Sequence, residues 1–178
     1  MTNVYFQQDY ERVTEQKKKS LTLFLTVTGI ALLAMVGVFV WFILEPYGTK
    51  KEPWLLVLIS VISGLYAIFA YIYLSICYAR VKNYKKMLGY ALTRKPTEGQ
   101  AVFMHFNSGI TVKDKVDFQS ITFVEWSEKE KDYMERNVFF DPEKTRPDFR
   151  TGDEIRLLTY SNILVAYEVL NRTADSTN

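Results

Sequence analysis

The chain has 178 residues, 48% of them hydrophobic and 24% charged, with a formal net charge of +2. That length holds one soluble domain beside a pair of membrane helices. The single cysteine, Cys77, excludes an intrachain disulfide, and nothing in the composition requires an oxidising compartment.

The charges are unevenly placed. Residues 79–95 carry Arg80, Lys82, Lys85, Lys86, Arg94 and Lys95 and no acid. Residues 96–178 carry 15 acidic and 10 basic residues. A basic collar therefore precedes an acidic domain.

Residues 1–20 form an N-terminal segment that is expected to be partly helical, because Phe6, Tyr10 and Val13 recur at helical spacing among polar residues. A frayed terminus is the alternative. The apolar runs Leu21–Leu44 and Trp54–Tyr78 contain no Asp, Glu, Lys, Arg or His. Each exceeds the roughly 20 apolar residues that a helix needs to cross the hydrocarbon core. Only residues 45–53 separate them, so 21–78 reads as a transmembrane helical hairpin, with Pro46, Gly48 and Pro53 in the connecting loop. Small residues, including Gly29, Gly37, Ser60, Ser63, Gly64 and Ala67, are expected to pack the two spans together or to form a dimer face. Trp41, Tyr47 and Trp54 mark the outer interface.

Basic residues flank the hairpin at Lys17, Lys18 and Lys19 and again at Arg80, Lys82, Lys85 and Lys86. Positive flanks stay inside, so the expected location is the cell membrane, with two spans and both termini cytoplasmic. The first run is too long for the apolar core of a cleavable signal and reads as a retained anchor. Residues 79–95 continue as a basic amphipathic juxtamembrane helix. There Arg80, Lys82, Lys85 and Lys86 are candidate contacts for anionic membrane lipids. Packing of its apolar stripe on the following domain is the alternative.

From Gln100 the period shortens to that of strands. Val102–Phe106 and Ile110–Val112 flank a turn signal, Asn107-Ser108-Gly109. Phe118–Trp126, Tyr133–Phe140, Ile155–Tyr160 and Ile163–Leu170 follow, the last two joined at Ser161-Asn162. Residues 96–170 are thus expected to form a cytoplasmic β domain, and 171–178 a disordered tail. The fold class is α+β: a two-helix transmembrane hairpin followed by a small, mostly antiparallel β-barrel-like domain of OB or SH3 type.

The stretch Gly152-Asp153-Glu154-Ile155-Arg156-Leu157-Leu158, then Asn162, Ile163 and Val165, resembles the closing hairpin of the OB-type barrel in NfeD-like membrane proteins. The likeness covers about one tenth of the chain. Asn162 stands where that family usually has glycine. The resemblance implies a barrel on a membrane anchor and a stomatin-like scaffold as partner. It carries over no functional residue.

Little else in the sequence points to chemistry. The single histidine, His105, lies in a strand pattern without a nucleophile motif. Neither metal-ligand spacing nor a phosphate-binding glycine loop is present. Glu125, Glu128, Glu130, Asp132 and Glu135 alternate with Lys129, Lys131 and Arg136, as in a solvated turn. OB-type barrels often bind single strands of nucleic acid, but an acidic domain repels phosphates. No cofactor, metal, nucleic acid or small-molecule substrate is therefore expected, and the chain reads as non-catalytic. The expected role is a membrane-anchored scaffold or accessory protein whose β module meets a protein partner or a second copy. A membrane-face enzyme and a small oligomeric transporter or channel subunit are the alternatives. The polar loop 141–152 is the candidate contact, with Arg146, Phe149 and Arg150 as its residues. In the structural alternative, Phe149 tucks back and plugs the barrel.

Overall fold

The computed structural model describes residues 1–44 and 54–173. The loop assigned to 45–53, Tyr47 within it, and the tail from 174 onward lie outside the described residues. The chain divides into two compact units, one of residues 1–12 with 83–178 and one of residues 13–82.

The helical unit contains most of α1 (Gln7–Leu44), all of α2 (Trp54–Ile72) and a π-helical segment, Tyr73–Tyr78. Both α-helices are long and apolar enough to cross a membrane. Their large apolar side chains point outward: Leu33 is 75% exposed and Leu65 64%. The contact between the helices is aromatic and polar. Phe24 stacks on Phe69 and Tyr73, with ring centroids 6.4 and 5.8 Å apart. Thr28 and Tyr66 share a hydrogen bond of 2.9 Å, and the Tyr73 hydroxyl donates to the Ser20 carbonyl at 2.9 Å. Trp41 and Trp54 meet edge to face at 6.1 Å.

The small residues do not pack the spans together as expected. A Cβ added at Gly29, Gly37 or Gly64 would meet no described atom within 4 Å. Ser60 bonds its own helix at the Leu56 carbonyl. The bulky rings of Phe24, Tyr66, Phe69 and Tyr73 fill the contact instead, and close backbone approach is not used.

The second unit is built on a closed five-stranded β-barrel. Its strands are β2 (Thr97–Lys113), β3 (Val116–Ser127), β4 (Asp132–Phe140), β5 (Glu154–Tyr160) and β6 (Ile163–Asn171). They run in the order β6-β4-β3-β2-β5, and β5 pairs again with β6. All these pairings are antiparallel except β4 with β6, where Phe139 lies opposite Ile163. Closure leaves no long open edge. Helix α3 (Ala79–Thr93) enters this unit from Asn83 and buries Leu88 and Ala91.

Alternation along the strands builds the core: Phe103, Ile121, Phe123, Val138, Ile155, Leu157, Leu164 and Ala166 are all buried. Two tight hairpins fit the strand twist. Asp114-Lys115 and Ser161-Asn162 each place both central residues at positive φ, the backbone of a type I′ turn.

One sequence expectation is corrected here. Asn107-Ser108-Gly109 is not a turn: β2 continues through it with a register shift between Phe106 and Ile110. The Gln119 amide donates to the Asn107 carbonyl at 3.0 Å and bridges the irregularity. The N-terminal segment is helical from Gln7 onward and begins with a short strand. Thr2–Asn3 forms strand β1, which pairs with β6 at Tyr167 and Ala166. Asp9 then accepts from the Phe6 amide at 2.9 Å, and this reciprocal half of a capping box starts α1.

Candidate functional site

The loop from Asp141 to Asp153 lacks regular secondary structure, yet it is tightly tied. The Gly152 amide donates to the Phe103 carbonyl at 2.8 Å, and the Phe103 amide donates to the Asp153 carbonyl at 2.9 Å. The Thr151 hydroxyl reaches the Met104 carbonyl at 2.9 Å. Asp153 is fully buried and accepts from the amides of Arg150 and Thr173 at 2.9 and 3.0 Å. Burial pushes this carboxyl up, but those amides together with Arg172 and Arg150 outweigh it and hold it below the usual carboxylate range. Gly152 sits at φ +93°, and a Cβ there would stand 2.8 Å from the Thr173 hydroxyl. That position needs glycine.

The structure places Phe149 inward, 8% exposed, among Phe103, Phe106, Phe123 and Tyr167 at centroid distances of 4.9 to 6.1 Å. This is the plug arrangement. Arg146 and Arg150 stay on the exposed rim. The Arg146 guanidinium lies 3.8 Å from the Phe106 ring centroid, a cation–π contact that presents its outer edge to solvent. Beside it runs a shallow groove of about 600 Å³, floored by Phe103, Phe106 and Phe149 and edged by His105, Arg146 and Asp148. The structure thus brings Arg146 and Phe149 together on one aromatic wall and adds His105, an exposed residue of β2.

The other end of the loop holds the N-terminal segment. Tyr84 on α3 donates to the buried Asp141 carboxylate, whose other oxygen accepts from the Glu143 amide. Tyr5 is buried beside them, its hydroxyl unpaired among the described groups. Burial and the neighbouring Asp141 push both phenols above the usual tyrosine value. Lys144 pairs with Asp9 at 2.6 Å.

Lys85 stands 5.0 Å from the Tyr10 ring centroid and Lys86 5.7 Å from that of Tyr90, whereas Arg80 and Lys82 are exposed residues of the helical unit. Sequence reasoning missed Lys113, Tyr90 and Tyr160, which share a cavity with Lys86. A signal existed for part of it: Lys86, Tyr90 and Arg94 recur every four residues and so share a helix face. Glu125 and Arg136 are also more than a solvated turn. They pair at 2.9 Å, and Arg136 reaches Thr159 and Asn162, linking three strands and the β5–β6 turn.

Among the described residues, no three His, Cys, Asp or Glu side chains converge as a metal site would require. Comparison with family models, with curated proteins and with solved structures finds no match for this chain.

Proposed function

We propose that the chain is a two-span membrane protein whose barrel is a non-catalytic recognition module, held at the cytoplasmic face for a protein partner. One observation carries the reading. Residues 1–12 belong to the barrel unit through β1 and Tyr5, yet the two long apolar helices lie between them and the rest of that unit. Both parts of one folded body must lie on one side of a membrane, which an even number of crossings satisfies. The uncharged outward faces of the helices suit lipid, and the basic flanks favour the cytoplasmic side.

The strand order, with its parallel contact between the third and fifth barrel strands, supports an OB-type barrel over an SH3-like one. The closing hairpin β5–β6 keeps the NfeD-like reading, and with it a stomatin-like scaffold as partner, as a proposal. The contact surface is the groove beside the loop, with Arg146 and Arg150 on its rim and Phe149 as its support. A photo-crosslinking residue at Arg146, in the full chain in native membranes, should capture a protein partner. The same probe at Glu130, on the exposed β3–β4 turn, should not. Equal capture at both positions would refute the surface.

A further inference from the structure

We propose that the cavity enclosed by α3 and the two type I′ turns is a binding site for a phosphate ester that carries a short apolar portion. The cavity is about 280 Å³, near the small end of ligand pockets, and suits a headgroup rather than a dinucleotide. Its walls divide by chemistry. Met87, Val116, Phe118 and Ile163 give it an apolar side. Lys86 and Lys113 give it two cations against one acid, Asp114.

The cationic side is ordered before any ligand arrives. The Lys113 ammonium donates to the Ser161 carbonyl at 3.0 Å and stands 4.9 Å from the Phe139 ring centroid, which leaves two of its three protons for a ligand. The Tyr160 hydroxyl accepts from Arg94 at 3.0 Å and keeps its own proton to donate. The Asp114 carbonyl is taken by the Asn83 amide at 2.8 Å, which ties the β2–β3 turn to α3. One turn is tied to α3 through Asn83 and the other to Lys113, so less conformational freedom is lost on binding. Two ammonium groups and a phenol around an apolar wall match a phosphate oxygen set with a carbon chain attached.

The ligand has two possible sources, a phospholipid headgroup or a soluble phosphate ester. Asn83 follows Tyr78, the end of the second apolar run, by five residues, which favours the lipid. Only that preference rests on the two-span reading; the affinity for a phosphate ester does not, nor does it involve the Arg146 groove.

The test is isothermal titration of the full chain in neutral detergent with dihexanoyl phosphatidylglycerol, dihexanoyl phosphatidylcholine and glycerol 3-phosphate. One site is expected, with phosphatidylglycerol at least about tenfold tighter than phosphatidylcholine. Lys86→Gln with Lys113→Gln should weaken it by about tenfold or more. Lys95→Gln, in the same basic collar but outside the cavity, should leave it unchanged. Met87→Trp fills the apolar side without touching a charge and should also abolish binding while the protein still melts cooperatively. Glycerol 3-phosphate binding as tightly as the lipid assigns the soluble ester; clear preference for phosphatidylglycerol assigns the headgroup. Absence of binding by both phosphatidylglycerol and glycerol 3-phosphate overturns the proposal. So does binding that survives the lysine pair and Met87→Trp, or that falls equally with Lys95→Gln, because that pattern belongs to diffuse attraction by the collar.

Discussion

Replacing Phe149 with Ala separates packing from recognition at the loop. The ring is 8% exposed and meets four other aromatic rings. Truncation of a buried Phe costs about 3–5 kcal/mol, and the loss is greatest where the surroundings cannot collapse into the space. Here the following residues are bonded to β2 through Gly152 and Asp153, so the loop cannot simply fold down. A loss of about 3 kcal/mol is expected, and at about 4–8 °C per kcal/mol for a domain near 100 residues the melting point should fall by roughly 12 °C or more. The readout is near-ultraviolet circular dichroism of the full chain in detergent, where the aromatic cluster contributes directly. Arg146→Ala gives the contrast. Its exposed cation–π contact is worth only about 0.5–1 kcal/mol of stability, whereas loss of a rim arginine should cost about 1–2 kcal/mol of partner binding. A Phe149→Ala protein that melts within about 3 °C of the parent would refute the packing argument, because a plug of this size cannot be removed without a stability loss.

Four shorter predictions follow from the same contacts. Cysteines at Thr2 and Ser176, in a Cys77→Ser background, should both resist a membrane-impermeant thiol reagent in intact cells; labelling at either one contradicts the shared cytoplasmic side. Burial raises Tyr5 and Tyr84, so their contribution to stability is complete below about pH 10, the unfolded value, and declines as pH climbs beyond it. Tyr84→Phe should lower the plateau by about 1–3 kcal/mol and flatten the alkaline limb of a melting-point–pH curve. Asp153 has the opposite sign: its lowered carboxyl contributes fully above about pH 4 and loses that contribution as pH falls, so Asp153→Asn should flatten the acid limb. His105→Gln should leave stability within about 0.5 kcal/mol, because the side chain is exposed; a larger loss would show that it has a structural partner.

The apolar runs were legible because a membrane helix is defined by composition over a long window, and no charge interrupts either one. Strands β3 to β6 were legible to within a few residues because one face of each carries β-branched and aromatic side chains. Ser161-Asn162 read correctly as a turn, but Asn107-Ser108-Gly109 did not form one. The working turn, Asp114-Lys115, has no glycine, and the strand pairing on both sides holds two ordinary residues at positive φ. Strand β1 was invisible because two residues carry no period and their partners are Tyr167 and Ala166, at the far end of the chain. The small-residue pattern does not mark the contact between the two helices, for a related reason. It reports which faces could approach closely, while the actual face was chosen by Phe24, Tyr66, Phe69 and Tyr73. In the candidate site, Arg146 and Phe149 stood out by residue type alone. Which way Phe149 points depends on Phe103, Phe123 and Tyr167, residues that only the barrel brings together.

The pairing of β1 with β6 ties the start of the chain to the last strand of the barrel across the two long apolar helices. Asn3 pairs with Ala166, and the Val4 amide donates to the Val165 carbonyl at 2.8 Å. In an open chain, closing so long a loop carries an entropic cost that grows as (3/2)RT ln n, before Tyr5, Tyr84, Asp141 and the Asp9–Lys144 pair can repay it. In the proposed two-span arrangement that search is shorter, because the segments before the first helix and after the second would leave the bilayer on the same face. The aromatic contact of Phe24 with Phe69 and Tyr73 and the Ser20–Tyr73 bond hold the two long helices together. The β1–β6 pairing then closes the same circuit from the barrel side. Each closure lowers the cost of the other, so the hairpin and the N-terminal strand stabilise one topology jointly, although no residue of β1 carries a hydrophobic period of its own.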